Sequence, residues 1–216
     1  LTVSYGEVWH DNRSLFLYEL RTSPESAWVQ AGLGNELLRT GARDGARARF
    51  LEALRIYPRH VHAAHGIALI ELAEGDEAEG RAWLGRALEF DRGFAPSLVV
   101  LGFLELDAGH VDDAGQLFAR ALSADNGSMV AKVGVFAATL RSGNLARAAV
   151  MRDALMAIDP MREDVRALSE ELERQRAYVH DGWNLTGDSY RLDEDGYFWY
   201  QARTDDMIVS AGYNIS

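Results

Sequence analysis

Three histidines, His60, His62 and His65, stand close together in the chain, and neutral imidazole is a common metal ligand. On a helix, residues two apart do not share a face. No cysteine or nearby carboxylate completes a tetrahedral shell, so the trio reads as the polar start of a helix. An acidic run, Asp193-Glu194-Asp195-Gly196, lacks the third spaced oxygen ligand and the closing glutamate of a calcium loop. It reads as a turn. Zero cysteines exclude disulfides and thiolate metal sites. Among 22 basic residues only Lys132 is a lysine, which limits any chemistry that needs an ammonium group.

Composition narrows the function classes further. The chain has 216 residues and a net charge of −11, and seven acidic residues against two arginines follow from Asp181 onward. No part offers the basic face that nucleic acid or an anionic membrane surface requires. No apolar run is long enough to span a bilayer, and no secretory leader is recognisable. The chain starts at Leu1 and stops at Ser216 without a natural ending, so it reads as a fragment.

The residues that must be positioned sit on a periodic frame. Gly41, Gly75, Gly109 and Gly143 recur every 34 residues. Ala46, Gly80, Ala114 and Ala148 keep the same period, as do Ala53, Ala87 and Ala121 with Leu155, and Pro24 and Pro58 with Pro160. Between these marks lie apolar pairs at helical spacing: Leu33 and Leu37, Ile67 and Ile70, Leu101 and Leu104, Val135 and Phe136. Each glycine ends a first helix in the left-handed conformation. Alanine then lets a second helix approach closely while Phe50 or Phe118 fills the space alongside. No such unit buries its apolar face alone.

A 34-residue helix–turn–helix repeat with small residues at these offsets resembles the tetratricopeptide family. The expected fold is mainly α, a tetratricopeptide helical solenoid with a short C-terminal β-hairpin segment. Residues 1–22 are expected as an N-terminal half-repeat with a helix over Asp11–Leu20, capped by Asp11 or Asn12. Residues 23–162 hold four full repeats, Ala27–His60, Val61–Phe94, Ala95–Ser128 and Met129–Arg162. A charge-rich capping helix and junction, with Val165, Leu168 and Leu172 on one face, occupy 163–180, and a different segment fills 181–216.

The resemblance implies a concave groove lined by four positions of each first helix. In this chain they are Trp28, Ala31, Asn35 and Leu38; His62, His65, Leu69 and Leu72; Pro96, Val99, Phe103 and Leu106; Val130, Val133, Ala137 and Leu140. None is basic, so capture of a peptide carboxylate by lysine or arginine is not expected. An apolar groove suits a protein or peptide partner with an apolar segment, or a flanking helix of the chain itself. Trp28, Asn35, His62, His65, Leu69, Val99 and Phe103 are the groove residues singled out.

The last stretch speaks of other chemistry. Thr186-Gly187-Asp188, Asp195-Gly196-Tyr197, and Arg203-Thr204-Asp205-Asp206-Met207-Ile208 leading to Gly212-Tyr213-Asn214-Ile215 resemble the region joining the two domains of benzoate- or aminobenzoate-type acyl-CoA synthetases in the adenylate-forming superfamily. Glu173 to Tyr178 belong to the edge of that resemblance. Ala202 departs from it, since many members have glycine there. Two strands around the acid turn and a third over Met207–Ser210 are expected. The resemblance implies that Asp188 accepts hydrogen bonds from the AMP ribose and that Arg203 approaches the same ribose or phosphate. It also makes Asp205 the domain hinge, and Gly212 the point where the backbone passes the pantetheine arm.

The phosphate-cradling loop and catalytic lysine that the resemblance implies are not among these residues, and Lys132 lies in a repeat helix. Nothing then offsets charge on a transferring phosphoryl group, so no catalytic residue is assigned. No cofactor is expected for the chain as it stands; ATP or AMP and CoA enter only with a complete ligase. The leading expectation is an interaction scaffold with a catalytically incomplete ligase-like tail. The alternative is part of an AMP-forming acyl-CoA ligase active only in a longer chain, which would place it in the cytoplasm. A weaker alternative follows from Val8-Trp9-His10-Asp11 and Ser14-Leu15-Phe16, which resemble the junction after the last membrane span of glycosyltransferase-like proteins with tetratricopeptide tails.

Overall fold

The computed structural model describes residues 12–180, 183–184, 188–192 and 198–203, with side chains described over 14–176. Ten helices are placed among the described residues: α1 Asn12–Thr22, α2 Ala27–Arg39, α3 Arg43–Ile56, α4 Val61–Glu74, α5 Glu77–Phe90, α6 Ala95–Asp107, α7 Val111–Ala124, α8 Met129–Arg141, α9 Leu145–Ile158 and α10 Glu163–Tyr178. The chain divides into two compact units at Gly134 and Val135. Val8 to Asp11 lie outside the described residues, so the half-repeat is described from Asn12 and the expected cap at Asp11 is not.

Local chemistry starts and stops these helices. The Ser26 hydroxyl caps α2 by accepting from the Val29 N–H, and Asp76 and Asn144 cap α5 and α9 in the same way. The four periodic glycines have φ between 77° and 89°, a region that costs other L-residues strain. After α2 the Gly41 N–H reaches Leu38 O and the Ala42 N–H reaches Leu37 O, and the same pair of bonds closes α4 and α6.

In the first unit α2 packs along α3, α4 along α5 and α6 along α7, and α1, α3 and α5 also touch the first helix of the next repeat. Two phenylalanines hold this stacking. The Phe50 ring lies where a Cβ on Gly34 or Gly66 would come within 2.6 or 2.3 Å of it, and Phe118 stands likewise against Gly102 and Gly134. Both rings are fully buried with Ala46, Ala53, Ala114 and Ala121. The Phe16 ring of α1 occupies the same kind of space against Gly32 of α2.

Ion pairs repeat with the period. Arg47 on α3 bonds Glu71 and Glu74 of α4 at 3.0 and 2.7 Å. Thirty-four residues on, Arg81 of α5 bonds Glu105 of α6 at 2.5 Å and Glu77 at 2.7 Å.

In the second unit α9 packs on α10, where Val165 and Leu172 are fully buried and Leu168 is half-buried. Arg152 of α9 pairs with Glu173 of α10. Two short antiparallel strand pairs follow: β1 Val179–His180 with β2 Trp183–Asn184, and β3 Asp188–Leu192 with β4 Phe198–Arg203. Residues 193–197, the expected turn, lie outside the described residues, as does the expected strand over Met207–Ser210.

Candidate functional site

The groove positions of the first unit are carried by α2, α4 and α6. Trp28 stands near the start of α2 and is 65% exposed. Asn35 and His62 are exposed, and His65 and Leu69 are half-buried. Val99 is buried, and Phe103 sets its ring edge-on to Phe118 at 4.9 Å. Phe103 therefore serves the packing of α6 on α7, and Val99 offers little open surface.

The helix starts bring together a cluster that the sequence motifs present as separate positions. The Trp28 ring meets His60 at 4.7 Å and His62 at 5.7 Å between centroids. Tyr57 lies against His60 at 6.2 Å. The Phe94 ring sits edge-on to His62 at 5.0 Å and to His65 at 5.4 Å, and His65 Nδ1 lies 3.0 Å from Ser97 Oγ. Trp28–His60, His62–Phe94 and His65–Ser97 are each separated by 32 residues. That spacing is one period less two, the offset at which successive first helices meet. It was a usable signal that comparison at a strict 34-residue register overlooks.

His60 is 1% exposed. Its Nδ1 caps α4 by accepting from the Ala63 N–H at 3.3 Å, so the ring hydrogen belongs on Nε2. That Nε2 is buried without a partner, a condition that costs about 1–3 kcal/mol. Burial, with the neighbouring His62 acting in the same direction, holds the His60 pKa below the usual imidazole value. The same two causes bring His65 down to about 4. Among the described residues no group of three or more His, Asp or Glu could hold a metal ion, and no helix is long and apolar enough to cross a membrane.

At the other end, the register sets Asp188 of β3 directly opposite Arg203 of β4. Those are the two positions for which the ligase resemblance implies AMP contacts. Asp205 and Gly212 lie outside the described residues.

Comparison with solved structures settles the architecture. The chain superimposes on pilF of Pseudomonas aeruginosa with a TM-score of 0.63 at 18% identity, covering 73% of this chain and 72% of that one. The fold is a tetratricopeptide repeat fold. A thermophilic tetratricopeptide protein from Thermus thermophilus gives 0.61 at 17% identity, covering 75% and 89%. YrrB, described as a tetratricopeptide protein with an unusual peptide-binding site, gives 0.55 at 16% identity, covering 75% and 92%. At these identities the likeness shows the fold alone.

No family model matches the chain. Curated relatives support the ligase-like fragment over a short stretch. An uncharacterized acyl-CoA ligase of Bacillus subtilis, YtcI, is 49% identical over 43 residues, 20% of this chain and 8% of that protein. The mouse mitochondrial acyl-coenzyme A synthetase ACSM3 is 61% identical over 31 residues, 14% and 5%. The chain thus spans less than a tenth of the length of these relatives.

Proposed function

We propose that the repeats form an interaction scaffold that seats an apolar segment of a protein partner along the first-helix surface of α2, α4 and α6. The observation that carries this reading is a surface without lysine or arginine at its groove positions that leaves Trp28 largely exposed. Trp28 and Tyr57, 51% exposed, both lie against the His60 ring, and contiguous exposed apolar patches mark binding surfaces. A tetratricopeptide relative in structure with a peptide-binding site supports it.

In this reading the C-terminal stretch is a ligase-like piece, with 188–192 paired antiparallel to 198–203, and no catalytic residue of its own. Asp188 and Arg203 are its AMP contacts, an assignment supported by their opposed register. Asp205 is its hinge and Gly212 its pantetheine passage. The second reading, part of an AMP-forming acyl-CoA ligase in a longer chain, draws support from the 49% identity to YtcI.

Calorimetry with two ligands separates the readings. A leucine-rich amphipathic peptide is expected to bind the chain saturably at about 0.1–1 mM or better, the range of a modest interface, while AMP gives no heat of binding at such concentrations. Saturable binding of AMP with silence from every apolar peptide would overturn the scaffold reading in favour of the ligase.

A further inference from the structure

The cluster at the starts of α2, α4 and α6 specifies the ligand more narrowly than an apolar surface does, provided that the repeats act as a scaffold. Its rings, Trp28, Tyr57, His60, His62 and Phe94, form a strip of edge-to-face contacts with no lysine, arginine, aspartate or glutamate among them. One donor in the strip is buried without an acceptor, and a second is open to solvent. The Trp28 indole N–H bonds no other described residue, and His60 Nε2 is buried and partnerless because Nδ1 is committed to the helix cap.

A complementary ligand therefore brings free carbonyl acceptors, apolar bulk that packs on aromatic faces, and no charge. A helical peptide can pack its apolar face there but leaves the His60 donor unmet, since its backbone carbonyls are already bonded within the helix. An acidic peptide meets a chain of net charge −11, and a basic one finds no carboxylate in the strip. A proline-rich segment meets all three. Its peptide groups lack N–H, its carbonyls point outward unpaired in the polyproline II conformation, and its rings stack on aromatic-lined grooves with little entropy left to lose.

We propose that the Trp28–His60–His62–Phe94 strip is a docking site for a proline-rich segment of a partner protein. The segment's rings pack beside Trp28, the exposed indole turns aside, and one carbonyl accepts from His60 Nε2 while another accepts from the indole. Seating the segment satisfies the buried His60 donor and replaces solvent at the indole.

The test titrates the full chain with N-acetylated, C-amidated octaproline while following the Trp28 indole and His60 ring signals by NMR. Saturable shifts at about 1 mM or below, weakened about tenfold or more by Trp28→Ala, are the expected result. His60→Asn should weaken binding several-fold while leaving the melting temperature equal or higher, because asparagine is itself a strong N-cap. Should that variant fail to fold, Trp28→Ala decides alone. No saturation by roughly 10 mM, or wild-type affinity in Trp28→Ala, overturns the proposal. If octaproline is silent but an amphipathic or acidic peptide binds at α2, α4 and α6, this inference falls while the scaffold reading stands. Silence from all peptides removes both.

Discussion

His65 shows how a single side chain in this cluster makes stability depend on pH. Burial, then the neighbouring His62, depresses its pKa to about 4, whereas an imidazole in the unfolded chain titrates near 6.5. Between those values the unfolded chain binds a proton that the folded one refuses. The contribution is thus fully present above pH 6.5 and is lost as pH falls toward 4. Linkage gives about 1.4 kcal/mol per pH unit in the middle of that window. Urea unfolding at intervals from pH 7 to 4.5 should show wild type losing stability faster than His65→Gln, with the gap between the two curves narrowing as pH falls. Parallel curves would mean that His65 titrates as an ordinary exposed imidazole. His60 differs in kind: it gives one ring nitrogen to the start of α4 and leaves the other bare, a condition a merely structural cap does not require.

At the scale of elements, helix ends carry the most transferable information. The four glycines at 34-residue spacing were readable because only glycine tolerates φ near 80° without strain, and the structure puts all four there. A Cβ on Gly75 would touch nothing within 4 Å, nor would one on Gly85 inside α5. The two sites therefore isolate backbone effects of opposite sign. Gly75→Ala should destabilise by about 1–2 kcal/mol through the left-handed backbone, and Gly85→Ala should stabilise by about 0.5–1 kcal/mol through helix propensity. Thermal or denaturant melts of the pair check this, and a shared sign would contradict the assigned helix ends. Phe50 and Phe118 were equally readable from their places beside the repeating alanines. Gly66 and Gly134, which admit those rings from the next first helix, were not, because contacts between repeats do not fall at a strict 34-residue offset. The Arg47–Glu71 and Arg81–Glu105 pairs are not legible in the sequence for the same reason, being 24 residues apart. Half-exposed pairs of this kind contribute about 0–1 kcal/mol each, so they support the stacking of helices more than they cause it.

At the scale of the whole chain, the repeats account for the fold and a short C-terminal stretch accounts for the kinship with acyl-CoA ligases. Periodicity exposed the first because each repeat must bury its apolar face on a neighbour. Motif density exposed the second, and the backbone adds that Asp188 and Arg203 are register partners. The groove positions of α2, α4 and α6 carry no lysine, arginine, aspartate or glutamate, and Trp28 faces solvent, whereas the ligase-like stretch corresponds to less than a tenth of its curated relatives. The central claim is that this chain acts by binding a protein segment on α2, α4 and α6. It is tested most directly by backbone NMR mapping of the full chain with the leucine-rich peptide and with octaproline. Shifts concentrated at Trp28, Asn35, His62 and Leu69 are expected with at least one of them. Shifts confined to residues beyond His180, or none with either peptide, would contradict it.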